Sequence, residues 1–132
     1  MAIGESPTSG LYRIRTSHGE IQLKCGPDIL LNGIGQNLEA EANCPVCQRP
    51  IRFRIVDHRV EHLEPPQSIL HAVEIVEGPG KLCVRCEASH IFDKDECLRG
   101  WLGQYQGISG SVYRLQEYMD HVMTLERPQR IN

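Results

Sequence analysis

Leu11-Tyr12-Arg13-Ile14-Arg15-Thr16-Ser17-His18-Gly19-Glu20-Ile21-Gln22-Leu23-Lys24 is followed without a break by Cys25-Gly26-Pro27-Asp28-Ile29-Leu30-Leu31. The two flanks of the first stretch alternate apolar and polar side chains about the Thr16–Gly19 turn, which predicts a β-hairpin. In the second, Pro27 suits the first turn of a short helix over Asp28–Leu31, which Asn32-Gly33 would end. Outward from there, Leu38–Ala42 predicts a short strand. Ile51-Arg52-Phe53-Arg54-Ile55-Val56 alternates cleanly and predicts a half-buried strand, with Asp57-His58 as a turn and Arg59–Leu63 pairing back against it. The β-branched run Ile69–Val76 predicts one further strand, and Gly78-Pro79-Gly80 a turn.

The last third changes period. Asp93 with Glu96 three residues on reads as a capping box, after which Cys97, Leu98, Trp101, Leu102 and Tyr105 share one helical face. A second helix is expected where Val112, Leu115, Met119, Val122 and Met123 recur, ending before Pro128. Strands first and helices last predict an α+β class: a small mixed or antiparallel sheet with two C-terminal helices against it. Residues 1–10 read as a flexible lead-in, 11–127 as one domain and 128–132 as a tail.

With 132 residues, net charge −3 and pI near 6.0, the chain offers no basic excess for nucleic acid. Arg49, Arg52, Arg54 and Arg59 read as the exposed side of a strand pair. No run of about 18 apolar residues marks a membrane span, and Met1–Gly10 lacks the plan of a signal peptide. A cytoplasmic protein that meets a small molecule is expected, and the sequence does not fix its oligomeric state. In that compartment cysteines stay reduced, so the 6 present point to metal or catalysis before disulfides.

Four of them form two hooks, Cys44-Pro-Val-Cys47 and Cys83-Val-Arg-Cys86. Two such hooks can complete a tetrahedron of thiolates, so Cys44, Cys47, Cys83 and Cys86 are the expected ligands of a structural, zinc-ribbon-like zinc site. Cys25 and Asp28 stand outside that set. Taken singly, Cys25 reads as a buried small residue and Asp28 as a first-turn acid. Cys97 and Trp101 read as core. His18, His62 and His71 read as solvent-facing, and His58, His62 and His71 lack ligand spacing with one another. Nucleotide-binding glycine motifs are absent.

The ordered set of the hairpin, Cys25-x-x-Asp28, Cys44, Cys86 with His90 and Phe92, Trp101 and Gln106-Gly107 resembles the organomercurial (alkylmercury) lyase family. The resemblance covers roughly residues 11–125 and corresponds to the catalytic core, without the N-terminal helical domain of standard members. It implies protonolysis of a carbon–mercury bond, with mercury(II) as substrate or product. Cys25 matches the family's first cysteine, Asp28 its aspartate, Cys86 its second cysteine and Cys44 a structural cysteine. The residue types suit the reaction. Mercury(II) is soft and thiolate is the softest protein ligand, and an acid must then protonate the leaving carbon. Burial and a neighbouring thiolate would both raise the Asp28 pKa; a helix start at Pro27 would oppose that while helping to ionise Cys25, and the sequence leaves open which effect wins.

Cys47 and Cys83 depart from the family pattern. A zinc held by both hooks would be closed and would occupy Cys86, leaving Cys25 without its partner. Two other functions therefore stand beside the lyase: a zinc-binding module without activity on the same scaffold, and an enzyme recruited to a different small molecule.

Overall fold

The computed structural model describes residues 11–33, 36–78, 81–84, 88–104 and 110–124, with backbone alone for 74–78 and 81–84. The expected hairpin is β1 (Tyr12–Thr16) and β2 (Gly19–Leu23), followed by α1 (Gly26–Asn32). Next come β3 (Leu38–Asn43), β4 (Pro50–Val56) and β5 (Arg59–Glu64). These strands form one antiparallel sheet in the order β2-β1-β3-β4-β5.

Alternation sets the inner face. Tyr12, Ile14, Ala40, Ala42, Ile51, Phe53 and Ile55 are buried, while Arg52 and Arg54 point to solvent. On the outer face Glu41 accepts from Arg13 at 2.6 Å and from Arg52 at 2.7 Å. β2 is an exposed edge, with Ile21 open to solvent.

The run expected as one strand over Ile69–Val76 divides into β6 (Ile69–Ala72) and β7 (Glu74–Gly78). β6 lies between β9 (His90–Phe92) and β10 (Ser111–Arg114), whereas β7 pairs with β8 (Lys81–Val84). Val73 marks the break: its N–H donates to the Ser89 hydroxyl at 2.9 Å, outside any ladder.

The expected second helix is also shorter. Val112 lies in β10 and is 51% exposed, and Met123 is exposed too. The helix proper, α3, is Leu115–Thr124, with Leu115, Tyr118, Met119 and Val122 buried. Glu117 accepts from the Arg114 N–H at 2.7 Å and so closes its first turn. The other helix, α2, is Asp95–Gln104, burying Cys97, Leu98 and Trp101. It begins after Asp93, so the expected cap there does not form. Pro128 and the two terminal segments lie outside the described residues. The result is an α+β fold of antiparallel sheets with three helices among the described residues, in which α1 packs on β1, β9 and α3.

Candidate functional site

Three features bring the Cys25–Asp28 segment into the core. Cys25 precedes α1 in an extended conformation, and its side chain makes no cap hydrogen bond to the helix. Pro27 fixes the first turn, and Ile29, Leu30 and Leu31 anchor the helix in the core. Gly26 then lets the backbone approach β9: a Cβ there would lie 2.6 Å from Ile91 Cγ1, 3.1 Å from Ile91 N and 3.3 Å from His90 C. Only a residue without a side chain allows that approach.

Cys25 is 1% exposed and Asp28 3%. They lie at opposite ends of the first helical turn. The Asn32 amide, one turn further on, donates to the Asp28 main-chain oxygen at 2.7 Å and to its carboxyl Oδ1 at 3.3 Å. That amide orients the carboxyl group.

Tyr12 connects this segment to the rest of the site. Its hydroxyl shares a hydrogen bond with His90 Nδ1 at 2.7 Å and accepts from Ile91 N–H at 3.1 Å. Burial first, and then the neighbouring Cys25 and Cys44, raises the phenol well above its ordinary pKa, against the opposing Ile91 bond, so the hydroxyl stays protonated. The His90 ring lies edge-on to Trp101 and Phe92, at 5.3 and 6.2 Å between centroids. His71, expected on the surface, is buried instead; its Nδ1–H donates to Ala88 O at 3.0 Å, and Trp101 lies beside it. His18 and His62 are exposed as expected.

Cys44 and Cys47 occupy the turn between β3 and β4. Their expected partners were Cys83 and Cys86, but Cys86 and the side chain of Cys83 lie outside the described residues. Among the described residues the hook meets Asp93 and Cys97: the four donor atoms all lie within 4.8 Å of one another. The Cys47 thiol donates to Asp93 Oδ1 at 3.2 Å. Burial alone would raise the Asp93 carboxyl, but hydrogen bonds from Cys47, Cys97 and Cys44, with Lys94 nearby, bring it below its usual range. Burial and the Asp93 carboxylate push the Cys97 thiol far up, and Cys47 shifts the same way.

Sequence reasoning missed Cys97 and Asp93. Cys97 lies on the apolar face of α2, as a core residue would, and Asp93 looked like a helix cap. The four-residue spacing between them was the available signal, since it lets a residue before a helix and one in its first turn meet. A surface groove of about 390 Å³ lies elsewhere. Arg13, Arg15, Arg52 and Arg54 line it with Glu39 and Glu41 on the outer face of the five-stranded sheet, and no cysteine borders it.

The family model for alkylmercury lyase matches residues 8–125. The chain belongs to the alkylmercury lyase family. A solved structure, the mercury-bound form of MerB2, shares the fold with TM-score 0.70 and 15% identity, over 86% of this chain. The chain spans 56% of that protein's length. No curated protein matches it in sequence. Among the described residues, no helix is long and apolar enough to cross a membrane.

Proposed function

We propose that the chain cleaves carbon–mercury bonds of small organomercurials by protonolysis. The supporting observation is the burial of a thiol and a carboxyl at the two ends of the first turn of α1, held against β9 through Gly26. In this reading the Cys25 thiolate attacks the mercury of R–Hg⁺, and a second thiolate, assigned to Cys86 by the family motif, raises the electron density on mercury. Asp28, protonated, delivers its proton to the carbon. The carbon–mercury bonding pair forms the new C–H bond, R–H departs, and mercury(II) stays on the two thiolates. Water exclusion strengthens each of these interactions, because charge is poorly screened in a buried site.

A zinc on both hooks would occupy Cys86. That competition is relieved if Cys44 and Cys47 use Asp93 and Cys97, the donors with which they converge. Reduced thiols also fit a cytoplasmic setting.

Hydrocarbon release from a phenylmercury salt, followed by gas chromatography, tests the proposal. Cys25→Ala and Asp28→Ala should each abolish release while retaining the wild-type circular dichroism spectrum and a cooperative melt. Full activity in Cys25→Ala refutes it.

A further inference from the structure

The turn that carries Cys44 and Cys47 is built to aim both sulfurs the same way. Gln48 N–H donates back to Cys44 O at 2.9 Å, and Cys44 N–H donates to Arg49 O at 3.0 Å. Gln48 adopts φ 65°, the left-handed region that a residue other than glycine occupies only at some cost. The Asn43 amide holds the curled backbone by donating to Gln48 O at 3.1 Å. Opposite this hook, the end of β9 supplies Asp93 and the first turn of α2 supplies Cys97.

Cys44, Asp93 and Cys97 are 0, 1 and 6% exposed, whereas Cys47 faces solvent. Three walls of the cluster are therefore closed, and one ligand marks the path by which an ion enters. Donor atoms within 4.8 Å of one another need contract only slightly. A tetrahedron with metal–sulfur bonds of about 2.3 Å has edges of about 3.8 Å.

We infer that Cys44, Cys47, Cys97 and Asp93 form a four-coordinate site for zinc(II), separate from Cys25 and Asp28. The donor set selects the metal class: three thiolates disfavour calcium and magnesium, which take oxygen ligands, and suit a thiophilic ion. With no metal bound, the carboxylate accepts from the thiols, as the Cys47–Asp93 contact shows. Zinc takes the place of those protons, which pass to solvent as each thiol becomes a thiolate. Four protein ligands leave no open position, so the role is structural. The ion joins the β3–β4 turn of the five-stranded sheet to β9 and α2, two regions about 50 residues apart. The inference does not depend on carbon–mercury cleavage and survives if that reading fails.

Elemental mass spectrometry of the full chain, purified without chelator and reloaded with zinc, should find about one zinc per chain. The cobalt(II)-substituted protein should show thiolate-to-cobalt charge transfer and the intense visible bands of a tetrahedral site. Cys97→Ser, Asp93→Ala and the exposed-ligand variant Cys47→Ser should each weaken zinc binding more than about 100-fold, beyond what loss of an outer hydrogen-bond partner costs. Cys83→Ser and Cys25→Ala should bind zinc like the wild type. Cys47→Ser keeps the readout meaningful if a buried variant fails to fold. Absence of both zinc and a cobalt spectrum in the wild type overturns the site. So does loss of zinc from Cys83→Ser with retention in Cys97→Ser.

Discussion

Replacing Gly26 with alanine adds one methyl group where the chain runs closest to β9. The backbone itself would accept alanine, because Gly26 is helical and outside the left-handed region. Removing glycine's unfolded-state freedom would then stabilise the protein by up to about 1 kcal/mol. The new Cβ opposes this. It meets Ile91 Cγ1 at 2.6 Å and two backbone atoms of β9 at 3.1 and 3.3 Å. Ile91 is fully buried, and its strand is held by β6 on one side and by the Tyr12 hydroxyl on its N–H. Neither side chain nor backbone can withdraw freely. Overpacking of this kind costs about 1–3 kcal/mol, so a net loss of about 1–2 kcal/mol is expected, or roughly 2–8 °C in Tm for a domain of this size.

Urea denaturation of Gly26→Ala measures this directly. In an Ile91→Ala background, which removes Cγ1, the cost of Gly26→Ala should shrink by about 0.5 kcal/mol or more, the signature of direct contact. Displacing α1 from β9 should also reduce carbon–mercury cleavage by up to about 100-fold, since misplacement of about 1 Å has that effect. A Gly26→Ala protein at least as stable as the wild type would refute the close-approach argument.

Two further outcomes follow from the buried polar groups. Tyr12→Phe removes the hydroxyl that serves His90 and Ile91 together and should cost about 1–3 kcal/mol in chemical denaturation; a loss below about 0.3 kcal/mol would mean that water replaces it. Burial lowers the His71 pKa, against the opposing bond to Ala88, so the unfolded chain protonates before the folded one. Its contribution is complete above the unfolded value of about 6.5 and is lost as pH falls below that toward the lowered folded value, at up to about 1.4 kcal/mol per pH unit. His71→Asn, whose amide can still donate to Ala88 O, should flatten that slope between neutral and mildly acidic pH; an unchanged slope would remove His71 from the acid response.

The parts of the fold that were legible in the sequence are those decided locally. β1–β2 and β4–β5 follow from alternation between turn residues, and α1 from Pro27 and three adjacent apolar residues. Ile69–Val76 was not legible because nothing local distinguishes one apolar strand from two. The break arises at Val73, where a hydroxyl 16 residues away takes the backbone donor. Val112 fitted a helical period by chance of spacing, while Ser111–Arg114 finds a better partner in β6. At the site, the pairing of Cys25 with Asp28 could be read because both lie in one turn. The convergence of Asp93 and Cys97 on the Cys44–Cys47 hook could not, since it depends on how β9 and α2 meet the β3–β4 turn.

Protonolysis itself is tested most directly by running phenylmercury cleavage in D₂O and identifying the hydrocarbon by mass spectrometry. The wild type should release benzene carrying a single deuterium, and Cys25→Ala and Asp28→Ala should release none. Benzene release no faster than from protein-free solution, or equal release from the two variants, would contradict it.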